Sequence, residues 1–334
     1  MKAAADEGLT SRSLRRVGDS LIEEFHQMNY AESITDLIGN TPLLELSRFI
    51  SDAGARVFAK CEFMNPMSVK DRAVLSMIEC AERRGDIRAG DTLIEATSGN
   101  TGMALAFIGG MKGYRVIICM SEMQSVERRK ILCAFGAELV LTPKEGGTTA
   151  AKAKAIELHE QVPNSYYIGQ HSNLDNRRAH VDRTSREIWK DTDGQIDVLV
   201  AAMGTCGTLC GVAEALKPNK PELQIVGVEP TEAPMLSAGR WQPHRMMGTS
   251  PGFVPELVDR DLIDEMITVS EEEAFVACRE LATIEGILVG ISSGAAAHAA
   301  RALARQPKNA GRLIVCVLAD RGERYLSVEG LFGT

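Results

Sequence analysis

The sequence predicts an α/β protein built on mostly parallel sheets with helices packed against their faces. Three observations lead there. Short β-branched runs alternate with amphipathic stretches from Ile34 onward, several of those runs end in turns of small residues, and 45% of the 334 residues are hydrophobic, enough for two packed domains.

In chain order, residues 1–33 form an N-terminal extension. Leu14, Val17, Leu21, Ile22 and Phe25 recur there at helical spacing, so a short amphipathic helix and a partly disordered tail are both compatible with it. Strands are expected at 56–63, 92–96, 115–120, 138–142, 196–202, 224–229 and 312–318, each a short β-rich run. Helices are expected between them at 71–84, 101–111, 126–135, 148–161, 208–216, 271–285 and 294–304, where apolar residues return every three or four positions. Sheets of this kind take ligands beyond the carboxyl ends of their strands. No internal repeat or low-complexity linker separates the halves, so a second domain must pack closely on the first.

The net charge of −8 with no basic patch argues against nucleic acid as a partner, and no run of 18 apolar residues is long enough to span a membrane. The eight cysteines form no C-x-x-C pair and several sit in apolar runs; they read as reduced, buried thiols of a cytoplasmic protein. The six histidines lack zinc spacing, so no metal site is expected.

Four segments carry possible chemistry. Lys70, in Asn65-Pro66-Met67-Ser68-Val69-Lys70-Asp71-Arg72, stands at a helix start, a poor place for a cation. It is either a surface lysine in a charge cluster or a desolvated, nucleophilic amine suited to a Schiff base. Thr97-Ser98-Gly99-Asn100-Thr101-Gly102 joins a strand to an apolar helix, as an ordinary capped turn or as an anion site made of helix amides and hydroxyls. Gly204-Thr205-Cys206-Gly207-Thr208 repeats that arrangement without P-loop or G-x-G-x-x-G spacing, and suits a phosphate or a tight turn. Gly290-Ile291-Ser292-Ser293-Gly294 is a cap, or a hydroxyl placed to meet a neutral pyridine nitrogen.

Taken together and in this order, the segments resemble the cysteine synthase / cystathionine β-synthase family of fold-type II pyridoxal-phosphate enzymes, closest to O-acetylserine sulfhydrylase. The resemblance runs from about Ile34 to Leu326. It also includes Ile38-Gly39-Asn40-Thr41-Pro42-Leu43, Ser125-Val126-Glu127-Arg128-Arg129-Lys130 and Gly322-Glu323-Arg324-Tyr325. It implies a tryptophan synthase β-like fold of two packed domains, a smaller mobile one at 71–175 and a larger one at 34–70 plus 176–328 that anchors the cofactor. Lys70 would bind the aldehyde of pyridoxal 5'-phosphate covalently and then take the substrate α-proton. Thr97, Ser98, Gly99, Asn100, Thr101 and Gln170 would hold the substrate carboxylate, with Asn100 also beside the cofactor ring oxygen. Gly204, Thr205, Cys206, Gly207 and Thr208 would form the phosphate cup, and Ser293, rather than Ser292, would meet the ring nitrogen.

The implied reaction is β-replacement, O-acetylserine plus sulfide giving cysteine and acetate, with ping-pong kinetics and domain closure over the site. The same chemistry with O-phosphoserine or serine as donor, or with homocysteine, thiosulfate or an amine as nucleophile, would serve cystathionine or diaminopropionate-type synthesis. A weakly active paralogue that binds a partner is a further alternative. A nicotinamide dehydrogenase fits the α/β pattern but lacks its glycine fingerprint. The family implies a homodimer and a cleft able to receive a serine acetyltransferase tail. Three departures stand out. Cys206 stands where the family usually has a third glycine in the phosphate cup, and a side chain there should crowd the backbone and alter cofactor affinity or tuning. Residues 247–253, near the leaving group, are poor in glycine, and Arg245 beside them leaves a phosphorylated donor open. Arg321 would meet an anion or form a surface salt bridge.

Overall fold

The computed structural model describes residues 30–97, 99–122 and 126–332. The helix expected within residues 1–33 lies outside them. At the start of the described chain the Asp36 carboxylate accepts from the backbone N–H groups of Glu32 and Ser33, closing a short turn.

From Leu37 onward the chain builds two sheets. β1 (Leu43–Glu45) pairs antiparallel with β2 (Arg56–Lys60), after which comes helix α1 (Lys70–Arg84). Four strands then alternate with helices: β3 (Thr92–Ala96), α2 (Asn100–Met111), β4 (Arg115–Ser121), α3 (Val126–Ala134), β5 (Glu138–Thr142), α4 (Gly147–Gln161) and β6 (Ser165–Tyr167). They form a parallel sheet of order β5-β4-β3-β6. Next, α5 (Leu174–Ala179), a π turn (His180–Thr184) and α6 (Ser185–Asp191) lead to β7 (Val198–Ala202), α7 (Gly207–Leu216), β8 (Gln224–Pro230) and α8 (Met235–Ala238). The chain continues through β9 (Glu265–Val269), α9 (Glu271–Glu280), a second π turn (Leu281–Glu285), α10 (Ile291–Ala304) and β10 (Leu313–Val317). The larger sheet has the order β1-β2-β10-β7-β8-β9 and is parallel apart from β1.

Each sheet is covered on both faces, which is why its central strands read as unbroken apolar runs. In β7, Val198 and Val200 pack with α9 and α10 residues such as Phe275 and Leu303, while Leu199 and Ala201 face Leu209 and Leu216 of α7. In β3, Leu93 joins Ile78 of α1 and Leu105 of α2, while Ile94 meets Ala151 and Ala155 of α4. Helix α2 is buried nearly all round, and a Cβ on Gly109 would lie 2.8 Å from the Val116 side chain, so glycine lets it approach β4. At α9 a capping box closes the start: the Ser270 hydroxyl accepts from the Glu273 N–H while the Glu273 carboxylate accepts from Ser270 N–H.

All seven expected strands and all seven expected helices are present, with boundaries shifted by a few residues. Three strands went unforeseen. β1 and β6 have three residues each, too few for a periodic signal, and only Val269 of β9 is fully covered. The run 174–191 was missed for another reason. Its buried face is largely polar, including Asp175, Asn176, His180, Thr184 and Ser185, so hydrophobic periodicity has nothing to register there. All eight cysteines are free, and all but the exposed Cys133 are buried, which corrects the expectation for that one residue. Among the described residues no helix is long and apolar enough to cross a membrane, and no cluster of His, Cys, Asp or Glu could hold a metal ion.

Candidate active site

Beyond the carboxyl ends of β3, β6, β7 and β10 lies a cavity of about 500 Å³. Lys70, Thr97, Gly99, Asn100, Thr101, Gln170, Gly204, Thr205, Cys206 and Thr208 all line it. The structure thus brings together every candidate it describes except Gly207 and Ser293; Ser98 is outside the described residues.

Lys70 opens α1, whose entry is fixed by Asp71. One Asp71 oxygen accepts from the Met67 and Ser68 N–H groups at 2.7 and 3.1 Å, while the other is buried without a partner. Burial, only partly offset by those N–H groups, raises this carboxyl to about 7. The Lys70 amine is pulled below the ordinary lysine value by burial, against the attraction of Asp320 above all. A depressed amine at a cavity wall can act as nucleophile and base. Behind it runs a buried ionic lock. Arg72 donates to Glu62 at 2.6 and 2.8 Å and to Glu187 at 2.7 and 2.6 Å, and Lys60 lies 2.9 Å from Glu187.

Also lining the cavity, Thr97, Gly99, Asn100 and Thr101 form the entry to α2. The Thr97 hydroxyl accepts from Gly99 N–H, and the Thr101 hydroxyl donates to Gln170 Oε1 at 2.6 Å. Gln170 is pinned in turn by Glu95, which accepts from Gln170 N–H at 3.1 Å and Ala96 N–H at 2.8 Å. Glu95 is fully buried, and burial raises it to about 7 against those same donors. Asn100 donates from Nδ2 to Asp320 at 2.7 Å and accepts at Oδ1 from Arg324 at 2.8 Å.

The third wall is the turn from β7 into α7. A Cβ on Gly204 would strike the Gly248 carbonyl, and one on Gly207 the Asn176 side chain, so both positions require glycine. Cys206 stands between them with φ +68°, in the left-handed region that a third glycine would occupy without strain. Its thiol nevertheless fits, buried among Leu209 and Met203, with its acidity reduced by burial. The crowding expected at this residue is seen in its backbone, while its side chain forms part of the cavity wall. The Thr208 hydroxyl lies 3.2 Å from His180 Nε2, and Asn176 Nδ2 lies 3.3 Å from the Thr205 hydroxyl. The start of α7 at this wall adds a helix end suited to an anion.

Three expectations change. Ser292 lines the cavity, whereas Ser293 is fully buried behind it with its Oγ accepting from Ala319 N–H at 2.9 Å. Successive helical residues point about 100° apart, so only one of the pair faces the cavity, and here it is Ser292. Arg245 does not line the cavity; it pairs with Glu271 at 2.7 Å and donates to the Glu329 carbonyl. Arg321 is exposed and donates to the Phe63 carbonyl at 3.0 Å, meeting neither an anion nor a carboxylate there. Sequence reasoning also missed His171, Arg128 and Tyr325 on the wall. His171 follows Gln170 directly; burial holds its ring down to about 4, so it is neutral, and it packs edge-on to Phe253 at 5.0 Å.

Residues 34–320 match the family model described as pyridoxal-phosphate dependent enzyme. The chain belongs to that family. This pyridoxal-phosphate dependent enzyme is 44% identical over 303 residues to cysteine synthase B of Campylobacter jejuni, covering 90% of this chain and 99% of the relative. In structure it resembles O-acetylserine sulfhydrylase isoform 3 of Entamoeba histolytica, with a TM-score of 0.86, 40% identity and coverage of 90% and 91% of the two chains. O-ureido-L-serine synthase matches as well, at a TM-score of 0.86 and 40% identity over 90% of this chain and 95% of that one. The cavity fits the family's cofactor. It offers a depressed amine for an aldehyde, a glycine cradle with threonine hydroxyls at a helix start for a phosphate, and a serine hydroxyl on the wall. Its volume lies within the range of small-molecule sites.

Proposed function

We propose that this enzyme replaces the β-substituent of O-acetylserine with sulfide, giving cysteine and acetate. The observation that carries the reading is the cavity itself. It is lined by one depressed amine, Lys70, by a hydroxyl- and amide-rich helix start, and by a glycine cradle suited to a phosphate. Pyridoxal phosphate, when bound, supplies an electron sink for charge developing at the substrate Cα. Lys70 would be joined to it, with residues 204–208 at its phosphate, Ser292 at its ring nitrogen and Asn100 at its ring oxygen. Thr97, Gly99, Asn100, Thr101 and the flanking Ser98 bind the substrate carboxylate, and Gln170 orients Thr101. Once freed by the substrate amine, Lys70 Nζ takes the α-proton, the acetate leaves, and sulfide adds at Cβ.

Strands β3 to β6 all fall within residues 71–175, and the remaining strands fall outside that span. This supports reading 71–175 as the smaller domain, which closes on carboxylate binding, and 34–70 plus 176–328 as the larger one. The family reading extends to a homodimer and to docking of a serine acetyltransferase tail, whose terminal carboxylate would use the substrate's place. Free, mainly buried thiols support a reducing, cytoplasmic setting. A second reading keeps the donor chemistry and changes the nucleophile; the similarity to O-ureido-L-serine synthase favours it.

The visible spectrum of purified protein tests both. A cofactor band that changes with O-acetylserine, and returns when sulfide yields cysteine, is expected. Return only with another nucleophile moves the assignment to the second reading. A protein that pyridoxal phosphate cannot colour refutes both. Lys70→Ala should abolish the covalent cofactor band and turnover; retained turnover would remove Lys70 from this role.

A further inference from the structure

The segment after β10 ties three walls of the cavity together. Val69 N–H donates to the Ala319 carbonyl at 2.9 Å, and Ser68 forms a β-bridge with Asp320, so the lysine wall is fastened to it. Gly290 N–H donates to the Asp320 carbonyl at 3.0 Å, which attaches the serine wall. Arg324 spans from the Met67 carbonyl at 2.6 Å to Asn100 Oδ1 at 2.8 Å. The Asp320 side chain, 1% exposed, accepts at one oxygen from Tyr325 Oη at 2.5 Å and from Asn100 Nδ2 at 2.7 Å.

We propose that Asp320 and Arg324 are positioning residues that lock the Asn100 amide in one orientation, so that it offers the cavity a donor and never an acceptor. The proposal rests on the reading that the cofactor occupies this cavity with Asn100 beside it. An Asn amide has one accepting end and one donating end, and the two are nearly isosteric. A carboxylate that already accepts from Tyr325 takes only a donor, and a guanidinium gives only donors. Turning the amide over would set N–H against N–H and oxygen against oxygen, losing two charge-assisted hydrogen bonds at once. Asp320 uses one Nδ2 hydrogen and leaves the second for the cavity, where it matches an anionic or carbonyl oxygen of the bound group. Tyr325 matters because it holds the Asp320 oxygen as an acceptor.

Asp320→Asn removes the lock with almost no change of shape, because the new amide can face Asn100 with either end. Arg324→Lys keeps a cation and loses the fork that reaches both Asn100 and Met67. Tyr325→Phe removes only the third donor. Each variant is prepared as holoenzyme and as apoprotein titrated with pyridoxal phosphate. The absorption maximum, cofactor dissociation constant, kcat and KM for O-acetylserine are then measured. For Asp320→Asn and Arg324→Lys the expected results are a shifted cofactor band, a weaker dissociation constant and a kcat about ten-fold lower, with KM moved by less than about three-fold. Tyr325→Phe should shift the band in the same direction by less. Thermal unfolding of the apoprotein reports any merely structural role. If the variants that fold keep the wild-type band, dissociation constant and kcat, the proposal is overturned, and Tyr325→Phe decides should the other two fail to fold. If wild-type protein takes up no pyridoxal phosphate, the functional reading fails instead, and the two failures are distinct.

Discussion

Glu95 gives the sharpest test of the electrostatics behind the site. Its folded value of about 7, against an ordinary 4.5, means that the native state holds a proton which the unfolded chain releases earlier. The stability tied to this proton is fully present below pH 4.5 and is lost as the pH rises through 7. The whole difference corresponds to about 3 kcal/mol, most of which falls between pH 5 and pH 8. Glu95→Gln removes the titration. It also turns one end of the side chain into a donor facing the Ala96 or Gln170 N–H, a loss of about 1–3 kcal/mol at every pH. The variant should therefore be less stable than wild type at pH 5 and should recover about 2–3 kcal/mol relative to it by pH 8. Urea unfolding at both pH values measures this, and the other carboxylates cancel in the comparison. A wild-type-to-variant difference that is equal at pH 5 and pH 8 would falsify the argument. Because Glu95 anchors Gln170, the variant should also loosen the Thr101–Gln170 contact and raise KM for the donor.

Two further outcomes follow from the site's supports. Arg72→Met strands the fully buried Glu62 and should cost about 3–5 kcal/mol, read from the urea midpoint; a change under about 1 kcal/mol would mean the lock contributes nothing. Cys206→Ala keeps the left-handed backbone and loses the thiol's packing, whereas Cys206→Gly relieves about 1–2 kcal/mol of strain at a smaller entropic cost. The glycine variant should be the more stable of the two, and the reverse order in a denaturant titration would contradict the strain assigned to Cys206.

The central strands were legible because burial on both sides makes them continuous apolar runs, as in Val198–Ala202 and Leu313–Val317. Residues 174–191 were illegible because packing there runs through Asn176, His180 and Ser185, whose partners belong to distant segments; Asn176, for instance, donates to the Gln170 carbonyl. The chemistry-bearing loops could be read because they combine small residues with helix starts. What they touch could not. Choosing between Ser292 and Ser293 needs the rotational phase of α10. The place of Asp320 depends on contacts with Ser68, Asn100 and Gly290, between 30 and 252 residues away. Arg245 lies near the right loop in sequence, yet Glu271 and Glu329 take its guanidinium.

The position of β10 has a consequence for the order in which the molecule comes together. It lies between β2 and β7, so the β1–β2 pair has no inner neighbour until residues 313–317 emerge from the ribosome. The smaller sheet needs only residues 92–167 and can assemble while synthesis continues. Closing the larger sheet therefore waits for the last described strand, and joining the Lys70 and Asn100 walls waits for residues 319–324 just after it. A growing chain halted before residue 313 would hold one finished sheet and no working cleft.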